Sequence, residues 1–150
     1  HTYKKFKKAL KLLYIIQTVD STGRDAVIPL QARARVQGMD LLIQVDCSVE
    51  EQKFGVPKAE LLSFIDGIIG YEEIRVQGLM TIAPLTGDAA VIRQCFRDLR
   101  LAKETVTAAF PPGRSLGMRY LSMGMTHDYR IAIEEGANML RVGSAIFADS

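Results

Sequence analysis

The sequence predicts an α/β protein on a parallel sheet: a (β/α)8 barrel of the TIM type, of which these 150 residues supply about the last five units. Three observations carry this. Near-continuous apolar strands alternate with helical segments, the pattern of strands buried between crossover helices. Each strand-plus-helix unit takes roughly 25–40 residues, whereas a complete eight-unit barrel runs to about 250. The last two strand ends carry hydroxyl and small residues, where such barrels commonly hold phosphate, after strands seven and eight. A complete doubly wound sheet of five strands is the rival. It is weakened because no Gly-rich first strand–helix turn occurs.

The elements follow in order. TYKKFKKALKLL opens as a helix with Phe6, Leu10 and Leu13 on its apolar stripe. Five lysines fall within Lys4 to Lys11; they read as a solvated face, with a basic nucleic-acid patch as the weaker alternative. LYIIQTV, Leu13 to Val19, is the first strand, and a helix follows over Arg24 to Gln37. DLLIQV, Asp40 to Val45, is the second strand. After the polar loop DCSVEEQKFG comes a helix with Pro57 in its first turn. IRVQGLMTI, Ile74 to Ile82, is the third strand, followed by a long amphipathic helix from its cap Asp88 to about Ala109. The fourth strand starts at Tyr120 after PPGRS and ends at Gly124-Met125-Thr126. A short helix capped by Thr126 or Asp128 then carries Ile131, Ala132 and Ile133 inward. Gly136 ends it in a left-handed turn. The fifth strand, Met139 to Val142, runs into Gly143-Ser144.

Composition narrows the function classes. Hydrophobic residues are 48% and charged ones 24%, a globular balance that argues against disorder, and residues 1–150 form a single, incomplete barrel domain. A net charge of +2 is too small to indicate nucleic acid or an anionic membrane. No apolar run reaches the roughly 18 residues of a membrane span, and no signal peptide is visible. The two cysteines form no CxxC and have no neighbouring histidine, so neither a disulfide framework nor a zinc site is expected. Cys95 shares a helical face with Val91, Ile92, Phe96 and Leu99 and so reads as a core residue, and Cys47 reads as pocket-wall packing rather than a reactive thiol. A reducing cytoplasm fits such usage.

The chemistry concentrates at the last two strand ends. Each delivers a hydroxyl beside a helix N-terminus, where unpaired N–H groups and the helix dipole attract an anion. Arg141 lies two residues before Gly143 and so on the same side of its strand. This is a phosphate site with a cation beside it. Asp46, Ser48, Glu50, Glu51 and Lys53 lie on a loop of the same rim; Lys53 could form an imine only if desolvated, and a solvated or ion-paired lysine is the default. Met80, Met123 and Met125 read as wall packing. His127 reads as a helix-start surface residue rather than a general base. No Ser-His-Asp set, nucleotide loop or metal-spaced carboxylate pair occurs, so no metal is expected. The sequence offers an anion cradle without a catalytic engine.

LSMGMTHDYRIAIEEGANMLRVGSAIF closely resembles the C-terminal signature of the pyridoxal-phosphate homeostasis proteins, the YggS/PROSC family, which look like the N-terminal barrel of alanine racemase without its second domain. VQGLMTIAPLTGD and LLIQVDCSVEEQKFGV match that family in order and spacing. The resemblance implies pyridoxal 5′-phosphate as cofactor. Thr126 takes the place of the phosphate-binding hydroxyl after strand seven. Gly143 and Ser144 match the phosphate-binding pair after strand eight, and Ser122 belongs to the same motif. Arg141 matches the arginine facing the pyridine nitrogen, where a permanent cation leaves the ring a poor electron sink. The family's aldehyde-binding lysine lies on the first barrel strand, which this sequence does not contain, and His1 would be a remnant of strand three. FADS stands where the family usually ends FG.

Three functions are thereby set against one another. The first is a non-catalytic, mostly monomeric carrier or buffer of pyridoxal phosphate, handing it to apo-enzymes that depend on it. The second is an amino-acid racemase or decarboxylase of the same barrel class, which needs a further catalytic domain. The third is a phosphosugar-binding barrel without an aldehyde cofactor.

Overall fold

The computed structural model describes residues 13–15, 39–47, 55–70, 74–113 and 116–143. The predicted opening helix, the helix over residues 24–37, Lys53 and Ser144 lie outside them. The described strands are β1 (Leu13–Ile15), β2 (Met39–Asp46), β3 (Val56–Pro57), β4 (Ile74–Met80), β5 (Leu116–Met125) and β6 (Met139–Arg141). The α-helices are α1 (Leu61–Ile68), α2 (Ala89–Ala109) and α3 (Tyr129–Glu134), with a 3-10 turn at Lys58–Glu60 leading into α1.

Strands β2, β4, β5 and β6 lie side by side and parallel, so their C-terminal ends share one rim. Cross-strand partners occupy the same face of a sheet, and two rows show how the faces divide. Ile43, Leu79 and Leu121 are aligned and join one core with Ile65 of α1 and Ile92, Phe96 and Leu99 of α2. One residue further along, Gln44, Met80, Ser122 and Met139 are aligned on the opposite face. That second row is part polar, although Gln44 and Ser122 are buried. The helix-facing side is therefore the hydrophobic core, and the other side carries the chemistry.

The second helix matches its expectation closely. Asp88 Oδ1 accepts a hydrogen bond from the Ala90 N–H at 3.0 Å, the N-cap that its position indicated. Its stripe of Ile92, Cys95, Phe96 and Leu99 is buried, but Val91, expected on the same face, is 36% exposed, because it stands at the edge of the stripe in the helix's first turn.

Four details differ from the sequence reading. The first strand pairs antiparallel with β2, Leu13 opposite Ile43 and Ile15 opposite Leu41, so the expectation of parallel pairing throughout fails at this edge. Parallel ladders are slightly less stable per residue, and the open edge of β2 must find partners for its backbone groups; over three residues the antiparallel ladder supplies them. The parallel α/β class rests on the four strands that follow. Strand β5 begins at Leu116 rather than Tyr120, and β4 ends at Met80 rather than Ile82. In α3 only Ala132 is fully buried, while Ile133 is 53% exposed, because a six-residue helix turns only a narrow stripe to the sheet.

Candidate site at the ends of strands β5 and β6

A bulge shapes the end of β5. Ser122 pairs with Met139 and Met125 with Arg141, so three steps on β5 match two on β6. The extra residue falls at Gly124, whose φ is +102°, a conformation that side chains rarely tolerate. Such bulges re-aim the residues that follow. Here they turn the chain from the sheet into the Thr126–Asp128 turn. Asp128 closes that turn: its Oδ1 accepts from the Met125 N–H at 2.6 Å, and its own N–H donates to the Met125 carbonyl at 3.2 Å. His127 Nε2 lies 3.4 Å from the second carboxylate oxygen.

Of the two caps weighed for α3, Asp128 occupies the position, but its side chain bonds backward to Met125 rather than into the helix. Thr126 is exposed on the turn, and no hydrogen bond of its hydroxyl is found among the described residues. With α3 only six residues long, its dipole adds little. An anion here would depend on hydroxyl and backbone donors of the strand ends.

Helix α3 is anchored from outside the site. Arg93, Arg97 and Arg100, spaced four and three apart on one face of α2, donate to the Glu135 carboxylate at 3.0, 3.3 and 2.9 Å. Arg100 also reaches the Glu135 carbonyl at 3.1 Å. Burial by itself pushes the Glu135 carboxyl upward, but the hydrogen bonds from Arg93 and Arg97 and the charges of Arg97 and Arg100 hold it below the ordinary range. Gly136 then ends the helix with φ +99°, as its place in the sequence indicated. Asn138 substitutes for ladder bonds ahead of β6: its Oδ1 accepts from the Leu121 N–H at 2.7 Å and its Nδ2 donates to the Arg119 carbonyl at 2.8 Å.

Arg141 lies two residues beyond Met139 and therefore on the polar face of the sheet. Its Nη2 donates to the Thr81 carbonyl at 2.6 Å. Strand β5 lies between β6 and β4, so the half-buried side chain crosses a neighbouring strand to reach the residue after Met80. Thr81 is itself buried; its hydroxyl donates to the Val45 carbonyl at 2.8 Å and its N–H to the Ser122 carbonyl at 3.1 Å.

The residues singled out from sequence fall as follows. Thr126 and Gly143 follow the C-terminal ends of the adjacent parallel strands β5 and β6, and Arg141 ends β6. Gly143 is exposed, and among the described residues nothing lies within 4 Å of where a Cβ would stand. Ser122 is buried one row deeper, beside Met80. Met80 lines the polar face as expected, but Met123 belongs to the helix-side core. Cys47 also belongs to that core rather than to a pocket wall; its hydrogen bond with Cys95 and its burial push its thiol upward. Thr81 and Asn138 were not anticipated. A threonine directly after an apolar strand and an asparagine directly before one were the signals available. Among the described residues no cluster of His, Cys, Asp and Glu could hold a metal, and no helix is long and apolar enough to cross a membrane.

The parallel sheet with its chemistry at the strand ends defines a barrel-type α/β domain. The family model of the alanine racemase N-terminal domain matches residues 2–150, and the chain belongs to that family. Within it, the chain is 30% identical over 145 residues to the pyridoxal phosphate homeostasis protein of Aquifex aeolicus, covering 97% of this chain and 62% of that protein. It is 33% identical over 132 residues to the protein of the same name from Vibrio alginolyticus, covering 88% and 54%. Among solved structures, PipY of Synechococcus elongatus with pyridoxal phosphate bound superposes with a TM-score of 0.61 at 30% identity, over 72% of this chain and 48% of that one. The chain thus spans little more than half the length of these curated relatives.

Proposed function

We propose that this chain is part of a protein that binds pyridoxal 5′-phosphate without catalysing turnover, keeping the cofactor in reserve for enzymes that need it. One observation carries the reading: Arg141 and Gly143 lie at the end of one strand and Thr126 just past the end of its neighbour, a cation beside a hydroxyl and an unobstructed glycine on one rim. That donor set suits a phosphorylated pyridine. Thr126 and the backbone at Gly143, with Ser144 following it in sequence, would hold the phosphate, and Arg141 would face the ring nitrogen. Ser122, buried a row below, would close the floor. The names of the relatives and the bound ligand of PipY support the same cofactor.

Each residue's part follows from its chemistry. A hydroxyl and backbone N–H groups donate to phosphate oxygens at short range, and charge-assisted bonds of this kind are the strong ones. A guanidinium stays charged at any physiological pH, so at Arg141 it opposes a proton on the pyridine nitrogen. When bound, the cofactor supplies an aldehyde and an electron-accepting ring, whose power to stabilise carbanions depends on that proton. Arg141 therefore favours storage over carbanion chemistry.

The discriminating experiment incubates the intact, cofactor-loaded protein with L-alanine, D-alanine and other amino acids, and separately with an apo-enzyme that requires pyridoxal phosphate. Transfer of cofactor to the apo-enzyme without racemised or decarboxylated product is expected. Steady amino-acid turnover would replace the carrier reading with the enzymatic one.

A further inference from the structure

We propose that Thr81 is the residue that aims Arg141 at the ring end of the site, acting as a buried three-way tie between strands β2, β5 and β6. The inference rests on the reading of Arg141 as the ring-facing cation. The geometry is specific. Arg141 is a long, rotamer-rich side chain, so aiming its guanidinium means holding it in one of many rotamers. It is fixed on the Thr81 carbonyl, at 2.6 Å, after crossing the whole width of β5. A carbonyl can aim a guanidinium only as well as it is itself held. Thr81 is 1% exposed, with its N–H bonded to the Ser122 carbonyl and its hydroxyl to the Val45 carbonyl. The peptide that receives Arg141 is thus held by bonds to both neighbouring strands.

This explains why a polar residue follows the apolar run of β4 in the interior. Valine has nearly the same shape as threonine but lacks the donor, so it would leave the Val45 carbonyl without this bond and loosen the Thr81 peptide. Serine keeps the donor and gives up a methyl group. The two substitutions therefore separate aiming from packing.

The test uses the intact protein and 4′-deoxypyridoxine 5′-phosphate, which keeps the ring and the phosphate but has no aldehyde and so binds without a covalent bond. Its ultraviolet absorbance reports protonation of the ring nitrogen. In wild type, protonation of the bound ring should require a lower pH than in free solution, and R141A should abolish that depression. T81V should return part of it, a shift of about half a unit if roughly half of one hydrogen bond's worth of aiming is lost. T81S should titrate as wild type. If R141A titrates as wild type, the ring-facing reading of Arg141 fails, and this inference fails with it. If R141A shifts but T81V does not, or if T81S shifts as far as T81V, Thr81 has no aiming role and only this inference falls. Should T81V not fold, NMR of the unliganded wild type decides: slow rotation of the Arg141 guanidinium is expected, and free rotation overturns the inference.

Discussion

Replacing Gly124 by alanine tests how the β5 bulge builds the site. At φ +102° an L-residue is in a sparsely allowed region, costing about 1–3 kcal/mol. The new Cβ would stand 2.7 Å from Ala132 Cβ, 3.0 Å from Leu140 Cδ2 and 3.2 Å from Tyr129 Cα. The first two belong to side chains packed under the bulge and the third to helix backbone, so α3 or β6 must move. Overpacking of this kind adds about 1–3 kcal/mol. The two effects together predict a loss of about 2–6 kcal/mol, read by urea denaturation of the intact protein. Gly67→Ala is the control: that glycine is in α1 with nothing within 4 Å of the added atom, and the change should stabilise by about 0.5–1 kcal/mol. Since the bulge aims the Thr126 turn, Gly124→Ala should also weaken phosphate-ligand binding under conditions where it remains folded. A Gly124→Ala protein within about 0.5 kcal/mol of wild type would show that neither the positive φ nor the close packing at Gly124 matters to the fold.

Other substitutions address the remaining links. Thr126→Val should weaken pyridoxal phosphate binding by about 1 kcal/mol, five- to tenfold, whereas Arg141→Ala should change the absorbance of the bound cofactor more than its retention; one titration followed by absorbance and affinity reads both. Glu135→Gln should destabilise the protein at pH 7 by about 1–2 kcal/mol, the arginines being partly exposed and their charges screened. Because the Glu135 carboxyl sits below its ordinary range when folded, its contribution is present above the unfolded value of about 4.3 and disappears as pH falls through the folded one. The gap between wild type and Glu135→Gln in thermal melts should therefore be full near neutral pH and narrow as the pH falls below the unfolded value. Asn138→Ala should leave the Leu121 amide without its partner, costing about 1–3 kcal/mol and speeding hydrogen exchange at Leu121.

Elements with a local signature were legible in the sequence. Asp88 announced its helix by cap chemistry, Gly136 announced a helix end, and the apolar runs of β2 and β4 announced buried parallel strands. The placing of Thr126, Arg141 and Gly143 on one rim followed from counting strands, since parallel strands put all their C-terminal ends together. What escaped was decided by tertiary contact. The direction of β1 depends on which edge it meets, and three residues carry no signal for that. Ile133 looked like a core residue by type, but a short helix buried only Ala132. Cys47 and Met123 each stand two residues beyond a core residue, Val45 and Leu121, so simple alternation puts them on the helix side; which face of each strand was the core became clear only from the packing. Thr81 matters through its carbonyl, and a backbone acceptor has no signature in side-chain pattern.

In the proposed site the ends of β5 and β6 hold the phosphate of pyridoxal phosphate. Equilibrium dialysis of the intact protein against pyridoxal 5′-phosphate and, separately, against pyridoxal measures it directly. One equivalent of the phosphorylated form should bind, with pyridoxal weaker by about two decades for want of the charge-assisted bonds, and Thr126→Val should narrow that preference. Equal binding of the two compounds, or a preference that Thr126→Val leaves untouched, would contradict the account.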